Sequence, residues 1–237
     1  MKLTIVYDNN EYTPGLRTAW GFSCWIETGE TTVLFDTGGD SPTLLYNLAE
    51  LGLDPQRVDI VVLSHIHGDH VGGLAGLLDT GATPTVYAPA AFPESFKAEI
   101  RERTDLVEVS GPLSILPGVS TTGQMGSGVL EQGLILETDK GLIVMTGCAH
   151  PGVVAMVERA KEVTSGEVAL VVGGFHLGGA SRRAISGIIA DFRRLGVRQV
   201  APCHCTGDLA RRMFADEYQE DCTLPGVGWV LDLTTNP

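Results

Sequence analysis

No uninterrupted apolar run in this chain approaches 18 residues, so no segment of it is read as crossing a membrane. The opening MKLTIVYDNN carries one lysine and a short apolar stretch before Asp8, too little for the hydrophobic segment of a secretory leader. Basic residues are scarce. With 16 Lys and Arg against 29 Asp and Glu, the formal charge is −13, and such a surface repels a nucleic-acid backbone unless its cations cluster. They pair only at Arg182-Arg183, Arg193-Arg194 and Arg211-Arg212, in helical-looking stretches where a solvated helix face accounts for them. The cysteines Cys24, Cys148, Cys203, Cys205 and Cys222 are odd in number, scattered and without an export signal. That pattern argues against a disulfide framework and for reduced thiols in a cytoplasm. The expected partner is a small molecule, with neither nucleic acid nor membrane.

Glycine is abundant, 30 of 237 residues, and implies many tight turns around backbone-lined sites. Residues 1–237 are read as one domain, since chains of this length commonly stay single. Short β-rich runs alternate with helical stretches throughout, which argues for an α/β fold. Strands are expected at residues 3–7, 23–27, 32–35, 60–63, 85–88, 133–137, 142–146, 169–172, 199–201 and 228–231. Helices are expected at 41–51, 72–78, 93–103, 151–163, 181–195 and 208–217. The turn-rich stretch 117–128 reads as a mobile loop or an ordinary connection.

One pattern occurs three times: an apolar strand, a short loop carrying His, and a Gly- or Ser-led helix. The instances are DIVVLSHIHGDHVGG, ALVVGGFHLGGAS and QVAPCHCTGDLA. Ligands in α/β sheets collect at the carboxyl ends of strands, so three such ends are suited to one site. All six histidines (His65, His67, His70, His150, His176, His204) follow expected strands. The densest group, SHIHGDH, puts four potential ligands within six residues. In that turn His65 and His67 can aim at one metal while Gly68 folds the chain back, presenting Asp69 and His70 to a neighbouring position. Imidazole and carboxylate suit zinc, iron or manganese.

HIHGDH is similar to the HxHxDH signature of the metallo-β-lactamase superfamily, and LFDTGG resembles that family's strand ending in an aspartate, here Asp36. The resemblance implies a four-layer αββα sandwich with two divalent metal ions, zinc first, iron or manganese as alternatives. It also implies that Asp36 braces the histidine loop without binding metal. Many members carry a further His in a PGHT-like segment and a bridging Asp in a TGD-like one. Here the matching segments are LPGVSTTG and MTGCAH, with Val119 and Cys148 in those places. His150 is read as supplying the missing imidazole, and Cys148 either bridges as a thiolate or packs as a buried thiol. His204, in PCHCTG, resembles the family's last His and is assigned to the second metal position. A separate zinc knot at Cys203-His204-Cys205 is set aside, because cysteines one residue apart on a strand face opposite ways.

The combination TGCAH, GGFHLGGAS and PCHCTG resembles a narrower subfamily that includes the dihydropterin ribofuranosylaminobenzene 5'-phosphate synthases, over residues 3–229. It places His176 at the active site, as a substrate-facing donor or an additional ligand. The chemistry implied is attack by metal-bound hydroxide on an ester, phosphoester or similar bond of a small molecule, with Asp69 as ligand or general base. A synthase or transferase with pyrophosphate as leaving group is the alternative, and a non-catalytic metal-binding protein the third reading. The run from Gly178 to Ser181 before Arg182 reads either as an anion seat or as an ordinary serine helix cap.

Overall fold

The computed structural model describes residues 1–233, and they form two compact units, one of residues 1–109 with the closing segment from Pro225, the other of residues 110–224. In the first unit the strands are β1 (Lys2–Tyr7), β2 (Ser23–Thr28), β3 (Thr31–Phe35), β4 (Ile60–Val62), β5 (Thr85–Pro89) and β6 (Leu106–Val109), with the last strand, β13 (Val230–Asp232), returning beside β1. They are ordered β13-β1-β2-β3-β4-β5-β6. The block β3 to β6 is parallel and the pairs from β13 to β3 are antiparallel. Helices α1 (Ser41–Glu50), α2 (Gly68–Val71), α3 (Leu74–Asp79) and α4 (Glu94–Arg101) connect them. Leu44 and Leu48 of α1, Leu74 and Leu77 of α3 and Ile100 of α4 share a core with Val6, Trp25, Leu34, Val61 and Val86, which alternate along one face of the sheet. Asp40 starts α1 by accepting from the Thr43 amide at 2.7 Å, and Pro42 follows where its missing N–H is harmless.

The second unit holds β7 (Leu113–Leu116), β8 (Val119–Thr121), β9 (Leu134–Thr138), β10 (Gly141–Thr146), β11 (Val168–Gly174) and β12 (Gln199–Cys203), ordered β12-β11-β10-β9-β8-β7. Here β10, β11 and β12 are parallel and the rest antiparallel. The central strand β11 reads VALVVGG and is buried along its whole length, the near-continuous apolar run of a parallel strand covered on both faces. Helices α5 (Val153–Thr164), α6 (Arg182–Arg194) and α7 (Asp208–Tyr218) pack into its core through Met156, Val157, Ile185, Ile189, Phe192 and Phe214. Ser181 caps α6 by accepting from the Ala184 amide at 3.2 Å, so the ordinary cap accounts for its place in the sequence. Arg193 reaches Glu217 and lies 3.7 Å over the Tyr218 ring, while Arg194 pairs with Asp191 and Glu158. These cations are engaged by acidic neighbours on helix faces, as expected of a solvated surface.

The sequence reading misses β6 and β7 and departs from the structure in two further places. The expected helix 72–78 is two pieces, and the first begins at Gly68, inside the histidine motif itself. The break falls at Gly72 and Gly73, where a Cβ would run into the carbonyls of Gly39 and Thr37, so the two glycine-rich motifs touch backbone to backbone. Accordingly, Gly73→Ala is expected to lower stability by about 1–3 kcal/mol. Urea unfolding should show an earlier midpoint at unchanged slope, with Gly68→Ala, whose added Cβ meets open space, as the mild comparison. The second departure is the stretch 117–128, which is not a loop throughout. It contains β8, whose Thr121 donates to Gln132 Oε1 at 2.6 Å, and Thr122 accepts from the Gly133 amide at 2.9 Å.

Candidate metal centre

In each unit the chemistry-bearing residues follow the parallel strands at their carboxyl ends. Asp36 follows β3 and the SHIHGDH motif follows β4; Cys148 and His150 follow β10, His176 follows β11, and His204 and Cys205 follow β12. Asp36, Ala149, His176 and His204 all have left-handed φ, between 48° and 61°. Such a conformation costs a non-glycine residue on the order of 1 kcal/mol or more and persists where its surroundings over-determine it. A sharp reversal just past each strand turns the side chains back toward the sheet edge.

In the first unit, Asp36 is fully buried and its carboxylate organises the motif. Its Oδ1 accepts from the Ser64 amide at 2.6 Å, and its Oδ2 accepts from the Ser64 hydroxyl and from His70 Nδ1, both at 2.7 Å. A carboxylate only accepts, so we assign the His70 proton to Nδ1, leaving the lone pair on Nε2. The single Ser64 hydroxyl proton goes to Asp36. Its oxygen is then left to accept at the 2.9 Å contact with His65 Nδ1, which puts His65 in the same tautomer. The His65 ring centroid lies 4.1 Å from that of His70 and 4.8 Å from that of His67, and His70 Nε2 lies 3.6 Å from Asp69 Oδ2. His65 and His70 are buried, Asp69 is half-buried and His67 is exposed. Imidazole and carboxylate donors of this kind suit zinc, iron or manganese, and exposed His67 falls in none of the groups of described residues whose ligand atoms lie within 4.8 Å of one another. The bracing role expected of Asp36 is the one its bonds describe.

In the second unit, the loop after β10 is held by a residue that no sequence motif flagged. Glu131 is fully buried, and its Oε1 accepts from the amides of Gly147, Cys148 and Ala149 at 3.1, 2.9 and 2.9 Å, while Oε2 accepts from His150 at 2.8 Å. Four consecutive N–H groups converging on one carboxylate fix the Cys148–His150 backbone. A buried acid amid the apolar letters of GVLEQGLIL was the available signal. The loops of β11 and β12 are cross-tied by Thr206, which accepts from the Phe175 amide at 3.1 Å and donates to the Cys203 carbonyl at 2.7 Å.

Cys148 Sγ lies 3.4 Å from His204 Nε2, and the ring centroids of His150 and His176 are 4.4 Å apart. His176 is exposed and Val119 is wholly buried in β8, so no side chain at 119 takes part here. Cys205, set aside on sequence, belongs to this cluster: it sits in the helical turn after β12, with its Sγ 3.6 Å from the Cys148 carbonyl oxygen. The strand argument bore only on a knot with Cys203, and among the described residues no group of close ligand atoms includes Cys203. The Cys148 side chain, with His176 and the charge of His204, draws the Cys205 thiol below the ordinary thiol range against the opposing effect of burial; Cys205 in turn raises His176. Burial instead pushes up the thiols of Cys24 and Cys222, the latter to about 11. None of the five cysteines is in a disulfide.

Residues 21–162 match the family model of the metallo-beta-lactamase superfamily. The chain is 30% identical, over 92% of its own length and 91% of the relative's, to a 7,8-dihydropterin-6-methyl-4-(beta-D-ribofuranosyl)-aminobenzene-5'-phosphate synthase of Methanocaldococcus jannaschii. Among solved structures, Tm1679, a metal-dependent hydrolase of the beta-lactamase superfamily, superposes with TM-score 0.82 at 27% identity, covering 99% of this chain and all of that one. The metallo-beta-lactamase fold protein YhfI from Bacillus subtilis gives TM-score 0.73 at 16% identity over 97% and 98% of the two chains, a likeness of fold alone. Among the described residues no helix is long and apolar enough to cross a membrane.

Proposed function

Since the chain belongs to the metallo-β-lactamase superfamily, we propose that it is a cytoplasmic metal-dependent hydrolase acting on an ester, phosphoester or similar bond of a small molecule. Its cofactors in this reading are two divalent ions, zinc before iron or manganese. The ligands are drawn from His65, His67, Asp69 and His70 and from Cys148, His150 and His204. The observation that carries the reading is the tautomer relay of Asp36 and Ser64, which leaves Nε2 lone pairs on His65 and His70 beside the Asp69 carboxylate. Bound by these donors, a divalent cation supplies Lewis acidity toward water and the leaving group. The protein's own groups do the rest. Asp69, half-buried, is the carboxylate able to accept a proton, and His176, exposed at the end of β11, serves either as a donor to a leaving-group oxygen or as an additional metal ligand.

A second reading, a synthase or transferase with pyrophosphate as leaving group, is supported by the 30% identity to the archaeal synthase over nearly all of both chains. Products separate the two. A hydrolase releases phosphate or acid from single substrates in a panel, whereas the transferase releases pyrophosphate only when a second substrate is present. For either, His67→Ala is expected to leave the fold soluble, reduce bound metal in elemental analysis and abolish turnover. Unchanged metal stoichiometry would remove His67 from the ligand set.

A further inference from the structure

Two thiols and an imidazole that lie far apart in the sequence meet inside the second unit. One ligand atom each from Cys148, His176 and Cys205 lies within 4.8 Å of the others. Atoms this close can share one ion, and the backbone on both sides of the group is fixed. The Cys148 amide is tied to Glu131, and the Cys205 carbonyl accepts from the Gly178 amide at 3.2 Å. Gly174, at the end of β11, leaves room where a Cβ would sit 2.7 Å from Cys205 Sγ. Only the His176 ring is exposed, which offers a way in from solvent.

We infer that Cys148, Cys205 and His176 form a sulfur-rich site for a thiophilic cation of the zinc class. Two thiolates and one imidazole, with the fourth position open, is a donor set that zinc uses where it also meets water or substrate. Thiolates favour zinc, iron or copper(I) over magnesium, calcium or manganese. The inference rests on the reading that this chain binds metal and narrows it: sulfur, and not only nitrogen and oxygen, reaches the ion, and Cys205 is one of its sources.

The test uses the full chain, kept reduced and loaded with zinc or with cobalt(II). X-ray absorption of the zinc form is expected to require two zinc–sulfur contacts per chain near 2.3 Å beside the nitrogen and oxygen shell at about 2.0–2.2 Å, and a single contact, which Cys148 alone supplies, overturns the inference. The cobalt form is expected to show a thiolate charge-transfer band in the near ultraviolet. That band should fall by about half in Cys205→Ser, vanish when Cys148→Ser is added, and persist in Cys222→Ser, since one thiolate is removed at each step of the first two and none in the last. Metal bound at full stoichiometry with nitrogen and oxygen neighbours alone overturns this inference and leaves the metalloenzyme reading standing. A chain that binds no metal overturns both. Because the absorption measurement needs no variant, poor folding of a serine mutant does not shield the proposal.

Discussion

Glu131→Ala is expected to destabilise the chain by about 3–5 kcal/mol, the cost of breaking a buried charged network by deleting one partner. The carboxylate is fully buried and accepts four amides, from Gly147 to His150. Alanine removes the acceptor those N–H groups share, and each buried donor so abandoned costs on the order of 1–3 kcal/mol before relaxation. For a chain of this size the melting temperature should fall by roughly 6–20 °C. Glu131→Gln is the informative comparison. It keeps one acceptor oxygen for Gly147, Cys148 and Ala149 but turns an N–H₂ group toward the His150 amide, or the reverse, and should fall between wild type and alanine. A melting temperature unmoved by alanine would mean that the loop after β10 is held by something other than this carboxylate.

The second large effect is at Asp36. Asparagine tolerates the left-handed φ of 57° found there, so Asp36→Asn changes the bonding while sparing the backbone. Of the two carboxylate oxygens, Oδ1 holds the Ser64 amide and Oδ2 holds both the Ser64 hydroxyl and His70 Nδ1. An amide nitrogen in place of Oδ2 donates where an acceptor is required, driving the His70 proton off Nδ1 and onto Nε2. The lone pair meant for a cation is then lost on His70, and with Ser64 released the tautomer of His65 is no longer set. Metal affinity, read by competition with a coloured chelator, is expected to drop about 10- to 100-fold. The far-ultraviolet circular dichroism should stay near wild type. Undiminished affinity would show that the ring tautomers are set without Asp36.

The parts of the site that were legible before any coordinates share one property: they are local. HIHGDH is six consecutive letters after an apolar run, and nearly its whole donor set is there to be counted. The histidines at strand ends were visible because strand, turn and helix each carry a short-range signal in their letters. Strands β6, β7 and β8 escaped because they are three or four residues long and broken by Gly111-Pro112 and Pro117-Gly118; β6 and β7 are moreover sheet edges, where burial is partial and alternation weak. The start of α2 escaped because its cap is His67, which makes no side-chain capping bond.

Short-range sequence therefore carries the α/β class, the motifs that resemble the family, and the histidine and aspartate candidates of HIHGDH. Tertiary structure decides the rest: that Asp36 and Ser64 dictate which nitrogen of His65 and His70 carries the proton, that Glu131 gathers four amides, and that Cys205 meets Cys148 and His176. The reason is physical. A ligand's identity is carried by its own side chain, but its protonation, its orientation and its companions depend on groups tens of residues away, brought within hydrogen-bond reach only when the parallel strands align their ends.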